Sequence, residues 1–86
     1  MYFVYILKCS DGTYYIGIAQ NVEKRLKAHN GMTKGGAKYT SGRRPVELLY
    51  KEKFDSKGEA LKREYQLKQL SHGEKRQVVD SSANIL

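Results

Sequence analysis

The sequence predicts an α+β domain in which a three-stranded antiparallel sheet is flanked by helices, in the order β-β-α-loop-β-α-α. Three observations lead to this prediction. Two segments rich in β-branched and aromatic residues lie on either side of a turn near the start, and a third follows Pro45. The helical segments begin at capping residues. The length of 86 residues fits one domain, expected over 1–86, with a thin core and a shallow, open site.

The first two strands, over 2–9 and 13–19, are predicted to form a hairpin. A two-residue turn would place Tyr5 and Tyr15 on opposite faces of this hairpin. A three-residue loop pairs Tyr5 with Gly17 and places both tyrosines on one face. The three-residue loop also gives the opposite face an almost wholly apolar set of side chains: Tyr2, Val4, Ile6, Tyr14, Ile16 and Ile18. We therefore expect the three-residue loop, because a core face should be apolar.

The first helix is predicted over 21–30, because Asn21 is a good N-terminal cap and Gly31 is available to end the helix. Residues 32–44 are polar and contain three glycines, which predicts a loop with one helical turn around 36–40.

The third strand is predicted over 46–53. Two further helices are predicted near 57–70 and 72–81. Each follows a Ser-x-x-Glu capping box, which begins at Ser56 and at Ser71, respectively.

The positive charge of the chain is concentrated in its middle third. The formal net charge is +7, and residues 24–53 hold nine Lys or Arg against two Glu. Such a segment attracts polyanions, above all nucleic acid, although a basic stretch is also often a solvated surface. Within it, the glycine-rich loop carries the residues that we expect to contact phosphates: Lys34, Lys38, Arg43 and Arg44.

The single cysteine, Cys9, cannot form an internal disulfide, and no Cys/His spacing resembles a zinc site. The N-terminal apolar segment is short and alternating, which is not typical of a signal peptide or a membrane span. These features predict a cytoplasmic protein that does not insert into membranes.

Glu64 is a candidate for a chemical role. Within its predicted helix, Ala60, Leu61 and Leu67 are three or four residues away, which predicts that the carboxylate lies on the apolar stripe. An unpaired carboxylate is costly there. Two interpretations stay open: a salt bridge to a nearby Lys or Arg, and a metal ligand or catalytic acid.

Arg25 and His29 are spaced i, i+4, so both lie on one face of the first helix. Arg offers a fork of donors for phosphate oxygens, and His exchanges a proton near neutral pH. The alternative is a solvated Arg beside a C-terminal His whose charge favours the helix dipole.

These residues together resemble the GIY-YIG nuclease superfamily, and more narrowly its small stand-alone bacterial members. Tyr15-Ile16-Gly17 follows Phe3-Val4-Tyr5, and the likeness extends from residue 2 to about residue 70 through Tyr5, Tyr15, Arg25, His29 and Glu64. The ordered combination is specific, although each motif alone is weak.

The resemblance implies a role for each of the five residues. Tyr5 would be the general base for the attacking water, and Tyr15 would orient water or phosphate. Arg25 would stabilise charge on the phosphate, and His29 would accept a proton from tyrosine or act as an alternative base. Glu64 would bind a single divalent ion, Mg²⁺ or Mn²⁺. Because a tyrosine pKa is ordinarily about 10, Tyr5 needs nearby positive charge to lose its proton.

The function that the resemblance implies is hydrolysis of phosphodiester bonds in DNA, in structured or branched DNA during repair or recombination. Two alternatives remain: a non-catalytic nucleic-acid-binding module, and a subunit that completes a repair complex. The larger nucleases carry a separate DNA-binding domain, for which 86 residues leave no room. A protein partner would then supply DNA specificity.

Overall fold

The computed structural model describes residues 1–81, so the last five residues of the domain expected over 1–86 lie outside the described part. Its centre is a three-stranded antiparallel sheet with the strand order β2-β1-β3. The strands are β1 (Tyr2–Lys8), β2 (Tyr14–Ala19) and β3 (Glu47–Phe54). The predicted α+β class and its antiparallel sheet are confirmed.

Within residues 1–81, four helices complete the order β1-β2-α1-α2-β3-α3-α4. They are α1 (Val22–His29), α2 (Lys38–Ser41), α3 (Lys57–Lys68) and α4 (His72–Ser81). The helical turn expected around 36–40 is the short helix α2, which lies two residues later than its predicted start. No helix between residues 1 and 81 is long and apolar enough to cross a membrane.

The predicted helix caps are present. The Asn21 side chain accepts a hydrogen bond from the Lys24 backbone N–H at 3.0 Å and begins α1. At α4, the Glu74 N–H donates to Ser71 Oγ at 3.2 Å, and the Ser71 N–H donates to the Glu74 carboxylate at 2.9 Å. This reciprocal pair is a full capping box, because two otherwise unpaired backbone donors are satisfied together.

The hairpin has the predicted three-residue loop. Cys9 and Thr13 are bonded across its base, with the Cys9 N–H donating to the Thr13 carbonyl at 2.8 Å. Gly12 has a φ of 85°, the left-handed conformation that this loop requires and that side chains disfavour. Tyr5 consequently pairs with Gly17, which confirms the predicted register.

The sheet is covered on both faces. One face carries the predicted apolar set and packs against α3 and α4, with Ala60 and Leu67 fully buried and Val78 and Val79 beside them. The opposite face packs against α1 through Val22 and Leu26. The alternate residues of β1 that face α1, among them Tyr5, are therefore buried as well.

Candidate active site

Tyr5 lies at the centre of the face that packs on α1. Its side chain is 1% exposed, and its ring crosses the backbone of Gly17 on the edge strand β2. A Cβ atom at Gly17 would lie 2.7 Å from the Tyr5 hydroxyl oxygen, closer than such atoms approach. Glycine at this position therefore lets the tyrosine reach across β2.

His29, in the last turn of α1, holds the Tyr5 hydroxyl. His29 Nε2 and the Tyr5 oxygen are 2.9 Å apart, and the imidazole is fully buried. Burial, together with the nearby charges of Arg25 and Arg44, lowers the pKa of His29 from 6.5 to about 4. The ring is therefore neutral at pH 7, and the interpretation of His29 as a charged residue favouring the helix dipole is wrong.

The other ring nitrogen of His29 contacts Thr40, a buried residue of α2. His29 Nδ1 lies 2.9 Å from Thr40 Oγ1, which in turn lies 3.0 Å from the Ala37 carbonyl oxygen. The Ala37 N–H lies 3.4 Å from Nδ1, a longer contact in which it donates only if Nδ1 carries no hydrogen. Each of the three shorter contacts needs one hydrogen, and a neutral imidazole carries only one N–H. One arrangement supplies all three: Nδ1–H donates to Thr40, Thr40 donates to the Ala37 carbonyl, and Tyr5 donates to Nε2.

Tyr15 and Arg25 border the same tyrosine. The Tyr15 ring lies 6.4 Å from that of Tyr5 and 4.9 Å from that of His29, between centroids. Arg25, half-buried on α1, donates through Nη1 to the Gly35 carbonyl. The two tyrosines thus share a face of the hairpin, as the register predicted.

The pKa of Tyr5 reflects these neighbours. Burial raises the pKa above its ordinary value of 10.0, whereas Arg25 lowers it through a hydrogen bond and its charge; Tyr15 and the Glu64 carboxylate raise it. The Glu64 carboxylate is thus near enough to act on Tyr5 electrostatically, although it comes from α3 on the other side of the sheet. Helix α3, which carries Glu64, packs on both β1 and β2.

Glu64 is held in α3 by an ion pair with Lys68, with Oε2 and Nζ 3.4 Å apart. Its side chain is largely covered, with 18% exposed. Ala60 and Leu67 flank it in the core, but Leu61 is 43% exposed, so the prediction that Leu61 belongs to the apolar stripe is wrong. The i, i+4 spacing makes Lys68 the cation that the salt-bridge interpretation required.

Glu64 is the residue of this site that could hold a metal ion. No group of three or more His, Cys, Asp or Glu side chains suited to a metal occurs within residues 1–81. A single, partly exposed carboxylate fits Mg²⁺, which keeps most of its waters and is usually bound by one or two carboxylates together with substrate phosphates. The ion pair with Lys68 would have to open or be shared.

The four basic residues expected to contact phosphates divide into two pairs. Lys34 and Lys38 are exposed and form no ion pair with the described residues. Arg43 instead pairs with Asp11 at 3.0 Å, and Arg44 Nε donates to the His29 carbonyl at 2.8 Å. The two arginines therefore hold the loop against the rest of the domain.

Two residues of this region, Thr40 and Tyr39, were not predicted from the sequence. Tyr39 lies beside Tyr15, with 5.8 Å between ring centroids. Both belong to α2, a helix of four residues in a loop without apolar periodicity. The available signal was a threonine and a tyrosine within a basic segment, which is too common a pattern to single them out.

Comparison with known proteins gives consistent matches. The family model of the GIY-YIG catalytic domain matches residues 1–77. A UPF0213 protein of Halobacterium salinarum is 53% identical over 87% of this chain and 95% of its own length. A UPF0213 protein of Staphylococcus saprophyticus is 50% identical over 91% of this chain and 93% of its own.

Two solved structures are also similar. The solution structure of a UPF0213 protein from Bacillus halodurans is 43% identical, with a TM-score of 0.62 over 96% of this chain and 87% of that one. A solution structure of a protein from E. faecalis is 35% identical, with a TM-score of 0.63 over 93% of this chain and 83% of that one. The chain therefore belongs to the GIY-YIG catalytic domain family and, within it, resembles the small UPF0213 proteins.

Proposed function

We propose that this protein is a divalent-metal-dependent endonuclease that hydrolyses phosphodiester bonds in structured or branched DNA during repair or recombination. The hydrogen bond between Tyr5 and the neutral His29 ring carries this proposal. It couples a hydroxyl to a proton acceptor beside Arg25 and near Glu64, which together suit a negatively charged substrate. Family membership supports the same reaction class.

Each side chain has a distinct part in the proposed reaction. Tyr5 takes a proton from the attacking water as its own proton passes to His29 Nε2. Tyr15 orients the water or a phosphate oxygen, and Arg25 offsets the charge that develops on the phosphate. Glu64 holds Mg²⁺ or Mn²⁺, which when bound supplies Lewis-acid stabilisation of the phosphate oxygens.

Arg25 also controls access to Tyr5 in this proposal. Its guanidinium donates to the Gly35 carbonyl and lowers the pKa of Tyr5, which is almost fully buried. A phosphate is a stronger partner for arginine than a neutral carbonyl, because both groups are charged. Binding of the scissile phosphate would therefore draw Arg25 from Gly35 and open a path for water to Tyr5.

A non-catalytic nucleic-acid-binding module is the second candidate, and the Glu64–Lys68 ion pair favours it, because it gives the carboxylate a structural role. In either case we infer that a protein partner supplies DNA specificity. We also infer a cytoplasmic location, since the buried Cys9 is unpaired and a reducing compartment keeps it so.

The test is a cleavage assay on duplex, flap, fork and four-way DNA, with Mg²⁺, with Mn²⁺ and with chelator. We expect cleavage only with a metal ion. Glu64→Gln should abolish cleavage while DNA binding in chelator is unchanged. Arg25→Ala should lower the rate by roughly 10²–10³-fold, the cost of losing one charge-stabilising donor.

Glu23→Gln is the matched control, because Glu23 is an exposed acid of α1 that pairs with Lys51 outside the site. It should cleave like the unmodified protein. Cleavage that survives Glu64→Gln, or binding without cleavage under all metal conditions, would favour the binding module instead.

A further inference from the structure

A cleft of about 350 Å³ opens next to the candidate active site, between β2, α2, α3 and α4. It is lined by Tyr14, Tyr15, Ile16, Tyr39, Lys68 and Lys75. Tyr15 belongs to the Tyr5–His29 cluster, and Lys68 contacts Glu64. The cleft therefore continues directly from the residues proposed to act on the scissile phosphate.

The aromatic walls of the cleft are held in place by groups outside it. Arg43 lies 4.1 Å above the centre of the Tyr39 ring and is itself fixed by its ion pair with Asp11. Tyr14 stacks on His72, with 4.4 Å between ring centroids and 4° between planes. Rings fixed in this way lose little side-chain freedom when another flat group packs against them.

The remaining polar groups of the cleft are cationic. Lys75, in α4, is half-buried and has no ion-pair partner among residues 1–81. Lys68 adds a second ammonium group. Both lie outside the basic middle third, so they extend the positive surface from the loop along the helices. Two ammonium groups beside aromatic rings suit a ligand that has both an anion and a flat ring system.

We propose that this cleft binds one unpaired nucleotide of a DNA strand, with its base against Tyr39 and Tyr14 and its phosphate at Lys75 and Lys68. The volume is close to the lower end of small-ligand sites, which fits one nucleotide. A paired base is stacked inside the duplex and cannot enter the cleft. This inference rests on the proposed function and narrows its substrate to DNA that has a single-stranded arm next to the cleavage point.

The test compares two fork DNAs that differ only in the unpaired arm: one arm of dT residues and one of abasic residues, which keeps the phosphates but removes the bases. Binding is followed by fluorescence anisotropy in chelator, so that no cleavage occurs. The unmodified protein should bind the dT arm about 5-fold to 150-fold more tightly, the range that stacking of one base provides.

Tyr39→Leu should reduce this dependence on bases, because it removes one of the two rings that contact the base and leaves Tyr14 in place. A thermodynamic cycle of the two proteins and the two arms measures the coupling between the Tyr39 ring and the base. Tyr39→Phe should keep it. Tyr65→Leu is the matched control, since Tyr65 is an exposed tyrosine of α3 that does not line the cleft, and it should behave like the unmodified protein. Lys75→Glu should weaken binding of both arms alike.

Equal binding of the two arms by the unmodified protein would overturn the proposal without any variant. So would a base dependence that Tyr39→Leu leaves undiminished. These results are independent of the nuclease proposal, which the Glu64→Gln cleavage assay decides. If the unmodified protein cleaves DNA but binds both arms equally, only the proposal for the cleft is overturned. If it prefers the dT arm but shows no metal-dependent cleavage, only the nuclease proposal is overturned.

Discussion

At Thr40, one hydroxyl group joins the Ala37 carbonyl to the His29 ring, with distances of 3.0 and 2.9 Å. The direction in which its proton points decides which ring nitrogen of His29 carries a hydrogen. Because the Thr40 hydroxyl donates to the Ala37 carbonyl, it accepts from Nδ1–H, and His29 presents an unprotonated Nε2 to Tyr5. In the proposed mechanism Thr40 would act through His29 without touching the substrate, as a positioning residue.

Thr40→Val should therefore slow cleavage while leaving substrate binding intact. Valine keeps the shape of threonine but cannot accept from Nδ1, so the ring loses the bond that fixes its tautomer. We expect kcat to fall roughly 10-fold to 100-fold, less than the 10²–10⁴-fold contributed by a positioned acid–base group itself, with KM nearly unchanged. Steady-state kinetics over a range of pH measure both quantities.

Thr40→Ser supplies the control, because it restores the hydroxyl and should recover most of the rate. A merely structural role for Thr40 would lower stability in both variants but leave kcat and its pH profile unchanged. That outcome would remove Thr40 from the proposed mechanism.

At the scale of elements, the segment between α1 and β3 is anchored to the rest of the domain, but two of its lysine side chains are left exposed. The Asn30 side chain donates to the Val46 carbonyl at 3.0 Å and accepts from the Val46 N–H at 2.7 Å. Arg43 is bound to Asp11 of the hairpin loop. Lys34 and Lys38 lie between these anchors and are exposed. We therefore expect Lys34 and Lys38, which form no ion pair with the described residues, to be available for phosphate contacts.

The double variant Lys34→Glu with Lys38→Glu should weaken binding to all DNA sequences alike. Each phosphate contact releases counterions, so the slope of log affinity against log salt should become shallower by about two. Fluorescence anisotropy measures this slope between roughly 50 and 200 mM salt, the range over which phosphate contacts change affinity strongly.

Lys57→Glu with Lys62→Glu, a pair of exposed lysines in α3, changes the net charge by the same amount. It should have a much smaller effect on the slope. Equal effects of the two double variants would mean that the loop lysines act only through the net charge of the protein.

Elements differ in how far the sequence predicts them. The hairpin register follows from local rules, since only one loop length gives β1 and β2 an apolar face. The helix caps at Asn21 and Ser71 are likewise local. The contact of α2 with His29 is not local: it joins Thr40 to a residue 11 positions earlier through a glycine-rich loop that carries no periodic signal.

For the molecule as a whole, the sheet separates two environments. One face is covered by α3 and α4 and holds an apolar core. On the other face, the side chains of Tyr5 in β1 and of His29 in α1 are buried between the sheet and α1. The second face therefore buries groups that can titrate, and its chemistry is coupled to the stability of the fold. A domain of this size has a small free energy of unfolding, so a change in the protonation of these groups should alter it measurably.

The stability of the protein should fall as the pH drops below 6.5, because burial holds the pKa of His29 at about 4 in the folded state. Between those values the unfolded chain binds a proton at His29 that the folded protein does not, so acid favours unfolding. The free energy of unfolding should decrease by about 2 kcal/mol between pH 8 and pH 5.

Two carboxylates with a lowered folded-state pKa also lose stabilisation in acid, but in a lower range. Hydrogen bonds from Thr13 lower the pKa of Asp11 from 3.8, and hydrogen bonds from Ser71 lower that of Glu74 from 4.5. Their stabilisation is fully present well above these values and is lost as the pH falls through their folded pKa. The range from pH 8 to pH 5 therefore reports mainly on His29.

Urea unfolding followed by circular dichroism at a series of pH values measures this dependence. His29→Gln should flatten the curve between pH 8 and pH 5, because glutamine has no proton to bind there. NMR of the His29 ring in the unmodified protein is an independent measurement, and the ring should stay neutral until about pH 4. A ring that titrates near 6.5, or an unfolding free energy constant over this range, would show that His29 is not held neutral by burial.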